Sequence, residues 1–183
     1  MAELVYTAIA SLDGFVADED GTFDWSAPDP QVHTFINDLE RPIGTYLYGR
    51  RIYEVMSAWE SVRTGEPALV DYARLWRAAD KIVYSRTLPA VTTGRTSLER
   101  AFDPGAVRRI KDDADREISV AGPTLAGAAL AAGLVDEIRL FLSPILVGGG
   151  LAALPRGTRH RLALLDSRRF DAGVQYLRYR VEQ

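Results

Sequence analysis

The sequence predicts a three-layer α/β/α fold with a mostly parallel central sheet and an antiparallel C-terminal hairpin, spanning residues 1–183 as one domain. Up to residue 135, short apolar runs alternate with segments whose apolar residues recur every three or four positions. Each run ends on a Gly- or Ser-containing turn. Beyond residue 136 the helical spacing disappears, and two strand-like segments flank Asp171-Ala172-Gly173.

Residues 4–10 form the first apolar run and read as a buried central strand, closed by Ser11-Leu12-Asp13-Gly14. A Gly- and Pro-containing loop over 21–30 feeds a helix marked by Val32, Phe35, Ile36 and Leu39. Residues 45–48 are a second strand, and Gly49 turns into a helix carrying Ile52, Val55, Met56 and Trp59. Leu69, Tyr72, Ala73 and Trp76 mark the next helix, followed by a strand over 81–85 and a short one over 96–99. Pro104 opens a helix with Val107, Ile110 and Ala114, and residues 118–121 are a strand stopped by Gly122-Pro123. A small-residue helix over 124–132 is capped by Gly133. Ile138, Leu140 and Leu142 alternate, and 162–170 with 174–181 complete the hairpin.

Composition narrows the function classes. With 183 residues, 47% of them hydrophobic, the chain suffices for one full core. A net charge of −3 with scattered arginines gives no nucleic-acid footprint, so a small-molecule partner is expected. The absence of cysteine excludes disulfides and thiolate metal sites, and two histidines, His33 and His160, are too few for an imidazole-built centre, so no metal is expected. No basic leader or long apolar window appears, which points to a cytoplasmic protein that does not engage a membrane.

In an open parallel sheet, ligands bind beyond the carboxyl ends of the strands. Gly49 leaves the backbone open, Arg50 and Arg51 add guanidinium groups, and the helix that starts there presents free N–H groups, together an anion site. Ser85-Arg86-Thr87 offers two hydroxyls and a third arginine, a set matched to a terminal phosphate such as an adenosine 2′-phosphate. Gly122-Pro123-Thr124 is a second helix N-terminus suited to a pyrophosphate. Neither a Gly-x-Gly-x-x-Gly after the first strand nor a Walker A sequence is present, so a dinucleotide is held by another scheme.

Five stretches at these turns carry a family resemblance: Ala10-Ser-Leu-Asp-Gly-Phe-Val-Ala17, Leu47-Tyr-Gly-Arg-Arg-Ile-Tyr-Glu-Val-Met56, Val120-Ala-Gly-Pro-Thr-Leu125, Gly133-Leu-Val-Asp-Glu-Ile138 and Ser143-Pro-Ile-Leu-Val-Gly-Gly-Gly150. In family order across the first 150 residues, they resemble the dihydrofolate reductase superfamily, in its branch related to the riboflavin-biosynthesis reductase C-terminal domain. The resemblance implies a dihydrofolate reductase-like fold and NADPH as cofactor. It places Gly49 and Arg50 at the phosphates, Ser85 and Arg86 at the adenosine end, and Gly122, Pro123, Thr124 and Leu125 beside the pyrophosphate. It also implies that the Ser11–Gly14 turn borders substrate and nicotinamide, that the loop with Asp24 and Trp25 walls the pocket, and that Tyr53 and Met56 line it.

Three departures bear on the substrate. Dihydrofolate reductases present an acidic residue on the first helix, and the inward candidates here, Gln31, Val32 and Phe35, are not acidic, which argues against folate. Ala121-Gly122 stands where the family has Gly-Gly, so an added methyl crowds the cofactor approach. Basic residues for a sugar-phosphate substrate are not evident near Asp24.

The expected function is NADPH-dependent reduction of a small pterin-like or pyrimidine-like heterocycle. The alternatives are a binding protein on the same fold without efficient turnover, and a structural subunit that binds no NADPH. Asp13 is either the proton-linked or substrate-anchoring catalytic group or an Asx-type turn former with Gly14. Trp25 either stacks on a flat ring or covers the core edge. His33 reads as a partly exposed structural residue and His160 as solvated loop. A homodimer is expected, with the apolar tract 140–151 and the late strands as its interface.

Overall fold

The computed structural model describes residues 1–182 and contains one eight-stranded sheet. Its strands are β1 (Leu4–Ser11), β3 (Ile43–Gly49), β4 (Asp80–Tyr84), β5 (Thr96–Glu99), β6 (Glu117–Ala121), β7 (Glu137–Ser143), β9 (Arg161–Arg169) and β10 (Gln175–Glu182). The spatial order is β5-β4-β3-β6-β1-β7-β10-β9. The first six run parallel, and the β9/β10 hairpin adds antiparallel to β7, as the loss of helical spacing after residue 136 predicts. Among the described residues no helix is long and apolar enough to cross a membrane.

Parallel strands are covered on both faces, and the alternation of β1 shows how. Leu4 and Tyr6 pack with Val107 of α4 (Pro104–Asp113) and with Leu125, Ala126 and Ala129 of α5 (Pro123–Ala131). Val5 belongs to the opposite face, with Tyr53 of α2 (Arg50–Met56) and Tyr72 and Trp76 of α3 (Pro67–Ala78). Ile9, farther along that face, meets Val32 and Phe35 of α1 (Pro30–Glu40). Trp76 is fully buried and donates its Nε1–H to the Tyr48 hydroxyl at 3.0 Å, so a large apolar body is buried without an unmet polar atom.

Local chemistry fixes the helix ends. Proline occupies the first turn of α1, α3, α4 and α5, where its missing N–H costs nothing. Asp29 caps α1 and Asp103 caps α4. At the other end of α5, Leu134 N–H reaches the Ala129 carbonyl and Gly133 N–H the Leu130 carbonyl, closing the helix as expected from Gly133.

Three features differ from the sequence reading. The helix after Gly49 stops at Met56, and Ser57–Glu60 tightens into a 3₁₀ turn, which turns Trp59 against His33 and Tyr72. His33 is buried rather than partly exposed, with Nδ1 3.1 Å from Asn37 Oδ1. Two short strands were not foreseen: β2 (Phe15–Ala17) and β8 (Leu151–Ala152) pair antiparallel. Gly150 permits this: its φ is +125°, and a side chain there would collide with the Ala17 carbonyl oxygen. The tract 140–151 comprises the end of β7, which lies inside the sheet and stops at Ser143, and the loop that leads to β8.

Both faces of β7 are buried, including Glu137 and Arg139 at its amino end. Burial pushes the Glu137 carboxyl up, but hydrogen bonds from Arg178 at 2.7 and 2.8 Å, with Arg139 at 3.2 Å, reverse this and hold it below its usual range. This charged network sits at the opposite end of the strand from Ser143.

Candidate functional site

Gly49 ends β3, and Ser85 and Gly122 follow the neighbouring strands β4 and β6, so the fold gathers the three predicted phosphate turns along one edge. Gly49 leaves open space where a side chain would stand. Arg50 links the first two turns: its Nη1 donates to Thr87 Oγ1 at 2.9 Å and its Nε pairs with Glu54 at 2.7 Å. Ser85 Oγ accepts from the backbone of Thr87 at 3.3 Å and Leu88 at 3.0 Å, shaping the turn itself. Arg51 and Arg86 are exposed beside it.

Arg100 was not foreseen. Its Nη1 donates to the carbonyls of Leu88 at 2.6 Å and Ser85 at 3.3 Å, clamping the loop that carries Arg86 and Thr87.

Gly122 holds a φ of +91°, and a Cβ there would stand 3.3 Å from Ile52 Cγ2, so the starts of α2 and α5 approach closely. Pro123 begins α5, Thr124 is exposed, and Leu125 is buried in the core, which leaves only its backbone facing outward. The Ala121 methyl packs against the cluster that contains Tyr48 and Trp76.

The donor set suits a polyphosphate cofactor: guanidinium groups from two turns, an open glycine, and the N-terminus of a nine-residue helix without side-chain capping.

On the other side of β1, Asp13 reaches the loop after β7. Its Oδ2 accepts Gly148 N–H at 2.7 Å and its Oδ1 accepts Val147 N–H at 3.2 Å. A hydrogen bond from Ser11 and these two N–H groups hold the carboxyl below its usual value. Gly14 N–H instead bonds the Ser11 carbonyl at 2.9 Å, so Asp13 is a clasp between loops rather than an Asx turn with Gly14.

Near that clasp, a cleft of about 190 Å³ opens between β1, β7 and the start of α1, lined in part by Ile9, Trp25, Asp29, Val32, Phe141 and Ser143. Trp25 is thus brought to the cleft, with its Nε1–H buried. Asp24, Tyr53 and Met56 do not line this cleft. Asp24 is exposed at the start of the 3₁₀ turn Asp24–Ser26. Tyr53 is buried, its hydroxyl accepting Thr92 N–H at 2.8 Å. Met56 packs partly buried against the same cluster. Asp29 and Ser143 were not foreseen in the cleft: Asp29 is legible only as a helix cap, and Ser143 only as a strand end.

Comparison with known proteins bears on the family and the fold. The RibD C-terminal domain model matches residues 2–176. The uncharacterized protein YyaP of Bacillus subtilis is 26% identical over 96% of this chain and 93% of its own. The riboflavin biosynthesis protein RibD of Mycobacterium tuberculosis is 40% identical over 60 residues, 33% of this chain and 18% of that longer protein. A putative riboflavin biosynthesis protein from Shewanella superposes with a TM-score of 0.79 at 21% identity over the full length of both chains. A diaminohydroxyphosphoribosylaminopyrimidine deaminase/5-amino-6-(5-phosphoribosylamino)uracil reductase from Thermotoga maritima superposes at 0.67 and 14% identity, over 99% of this chain and 57% of that one. The chain belongs to the RibD C-terminal domain family, and its fold is that of these reductase-like proteins.

Proposed function

We propose that the protein is an NADPH-dependent reductase of a small pterin-like or pyrimidine-like heterocycle. The observation that carries this reading is the Arg50–Thr87 bridge, which joins two basic turns beside the free N-terminus of α5. Arg50 and the α5 backbone hold the phosphates, and Arg86 with the Arg100-clamped loop holds the adenosine end. When bound, NADPH supplies the hydride. The chain orients the substrate in the cleft, and the Asp13 clasp keeps the 147–148 backbone in place beside it.

The test is direct: the full chain is mixed with NADPH and, in turn, pterins and aminopyrimidines, and absorbance follows NADPH oxidation. Oxidation that depends on one of these rings supports the reading. NADPH binding without oxidation favours the second reading, a ligand-binding protein without efficient turnover. One observation favours that alternative: the Asp13 carboxylate is already engaged by backbone donors.

The same reading includes a cytoplasmic homodimer. Leu162, Leu164 and Leu165 are exposed on the edge strand β9, and a second copy covering them removes apolar area from water. Sedimentation at twice the monomer mass supports the dimer; a monomer at all concentrations contradicts it.

A further inference from the structure

The 3₁₀ turn Ser57–Glu60 and the loop after it present their carbonyls to two arginines from different elements. Arg77, near the end of α3, donates from Nη1 to the carbonyls of Val62 at 2.7 Å and Trp59 at 3.1 Å. Arg63, in the loop itself, donates from Nη1 to the same Val62 carbonyl at 3.1 Å and to that of Glu60. One oxygen thus holds two guanidinium groups, their Nη1 atoms within about 6 Å of each other. Neither arginine forms an ion pair among the described residues, and these bonds use one nitrogen of each fork.

Both side chains line a groove of about 580 Å³ along α3, shared with Thr64, Gly65, Asp71 and Arg74. Asp71 is its one carboxylate and is already engaged, by Arg74 at 2.7 Å and by Arg41 at 2.7 Å. The Glu60 carboxylate turns away, with Oε1 3.6 Å from the position a Cβ on Gly94 would occupy. Arg77 stands just before β4 and Arg41 just before β3, so the groove lies at the amino ends of strands whose carboxyl ends carry Gly49 and Ser85.

We propose that this groove is a second anion site, separate from the cofactor turns, that binds a phosphate group, either inorganic phosphate or the phosphate of a small ester. Two like charges fixed to one carbonyl repel, and an anion set between them lowers that energy. The carbonyls hold both guanidinium groups before a ligand arrives, so little side-chain freedom is lost on binding. A phosphate ester presents three terminal oxygens, enough for donors from two forks and the Thr64 hydroxyl, whereas a carboxylate presents two. The groove falls within the roughly 300–1,000 Å³ of small-molecule sites, which leaves room for the carbon part of an ester.

Two-dimensional ¹H–¹⁵N NMR of the full chain tests this by titration with inorganic phosphate, glycerol 3-phosphate and acetate. Saturable shifts of the Thr64 and Gly65 amides are expected with both phosphates, half-complete at about 1 mM or below, and not with acetate. Tighter binding of glycerol 3-phosphate assigns the site to an ester, and tighter binding of inorganic phosphate assigns it to the free ion. Arg63→Gln, at an exposed position, is expected to weaken the response at least tenfold with the melting temperature unchanged. Arg77→Lys, which keeps the charge and removes the fork, is expected to weaken it severalfold, and Arg50→Gln to leave it unaltered. Shifts that never saturate, an equal response to acetate, wild-type affinity in Arg63→Gln, or loss of the response in Arg50→Gln overturns the proposal.

Discussion

The Asp13 carboxylate holds the Gly148 N–H at 2.7 Å across 135 positions of sequence, tying the turn after β1 to the loop after β7. These strands are adjacent and parallel, so their carboxyl-end loops rise side by side, and one side chain joins them. Ser11, buried beneath, accepts Phe15 N–H at 3.0 Å and also bonds Asp13, extending the clasp toward β2.

Asp13→Ala is therefore expected to raise hydrogen exchange at Val147 and Gly148 and to lower turnover, while protection in β1 and β7 stays intact. The carboxyl is lowered in the folded state, so its contribution is present above its ordinary value of 3.8 and is lost as pH falls through the lower folded value. Exchange at Gly148 that the substitution leaves unaltered at pH 7 contradicts this.

On the proposed reading, Arg86 faces the adenosine end of NADPH and Arg50 its phosphates. Arg86→Gln is expected to weaken NADPH about tenfold, the loss of about 1.4 kcal/mol, and to leave NADH unaffected. Arg50→Gln is expected to weaken both dinucleotides, because the proposed role of Arg50 is toward the phosphates common to them. Glu54→Gln releases Arg50 from its 2.7 Å pair and tightens NADPH severalfold. Parallel titrations with the two dinucleotides read all three.

Glu40 is buried at the carboxyl end of α1, where desolvation pushes its pKa up to about 7, against the opposing hydrogen bond from Tyr46 at 2.8 Å. Its folded value exceeds the unfolded 4.5, so its contribution to stability is full below about pH 4.5 and is lost as pH rises through about 7. Glu40→Gln keeps an acceptor for Tyr46 and is expected to stabilise the protein by about 1–3 kcal/mol at pH 8 and by little at pH 5. Urea unfolding at the two pH values measures the difference.

Gly150→Ala is expected to lower the melting temperature by several degrees, through backbone strain of about 1–3 kcal/mol and loss of the β2–β8 pairing. Gly49→Ala, where open space awaits the methyl group, is expected to leave the melting temperature within a degree or two. Equal losses in both variants contradict the assigned roles.

Features encoded locally were readable from the chain. The parallel strands announced themselves as apolar runs ending at Gly or Ser, and Pro104 marked the start of α4. Arg50, Ser85 and Gly122 were legible because each stands in a turn directly after a strand. Groups that act through distant partners were not. Arg100 binds carbonyls 12 and 15 positions away, and nothing around it marks a clamp. Strands β2 and β8, of three and two residues, are too short to show alternation and exist only because they meet. Tyr53 lies on the expected helix but turns into the core, an orientation set by packing against Tyr48 and Trp76.

The measurement that tests the central claim most directly is a calorimetric titration of the full chain with NADPH, repeated with Arg50→Gln and Arg86→Gln. Saturable binding that both substitutions weaken about tenfold is the predicted result. No binding by the unaltered chain, or binding indifferent to both arginines, contradicts it.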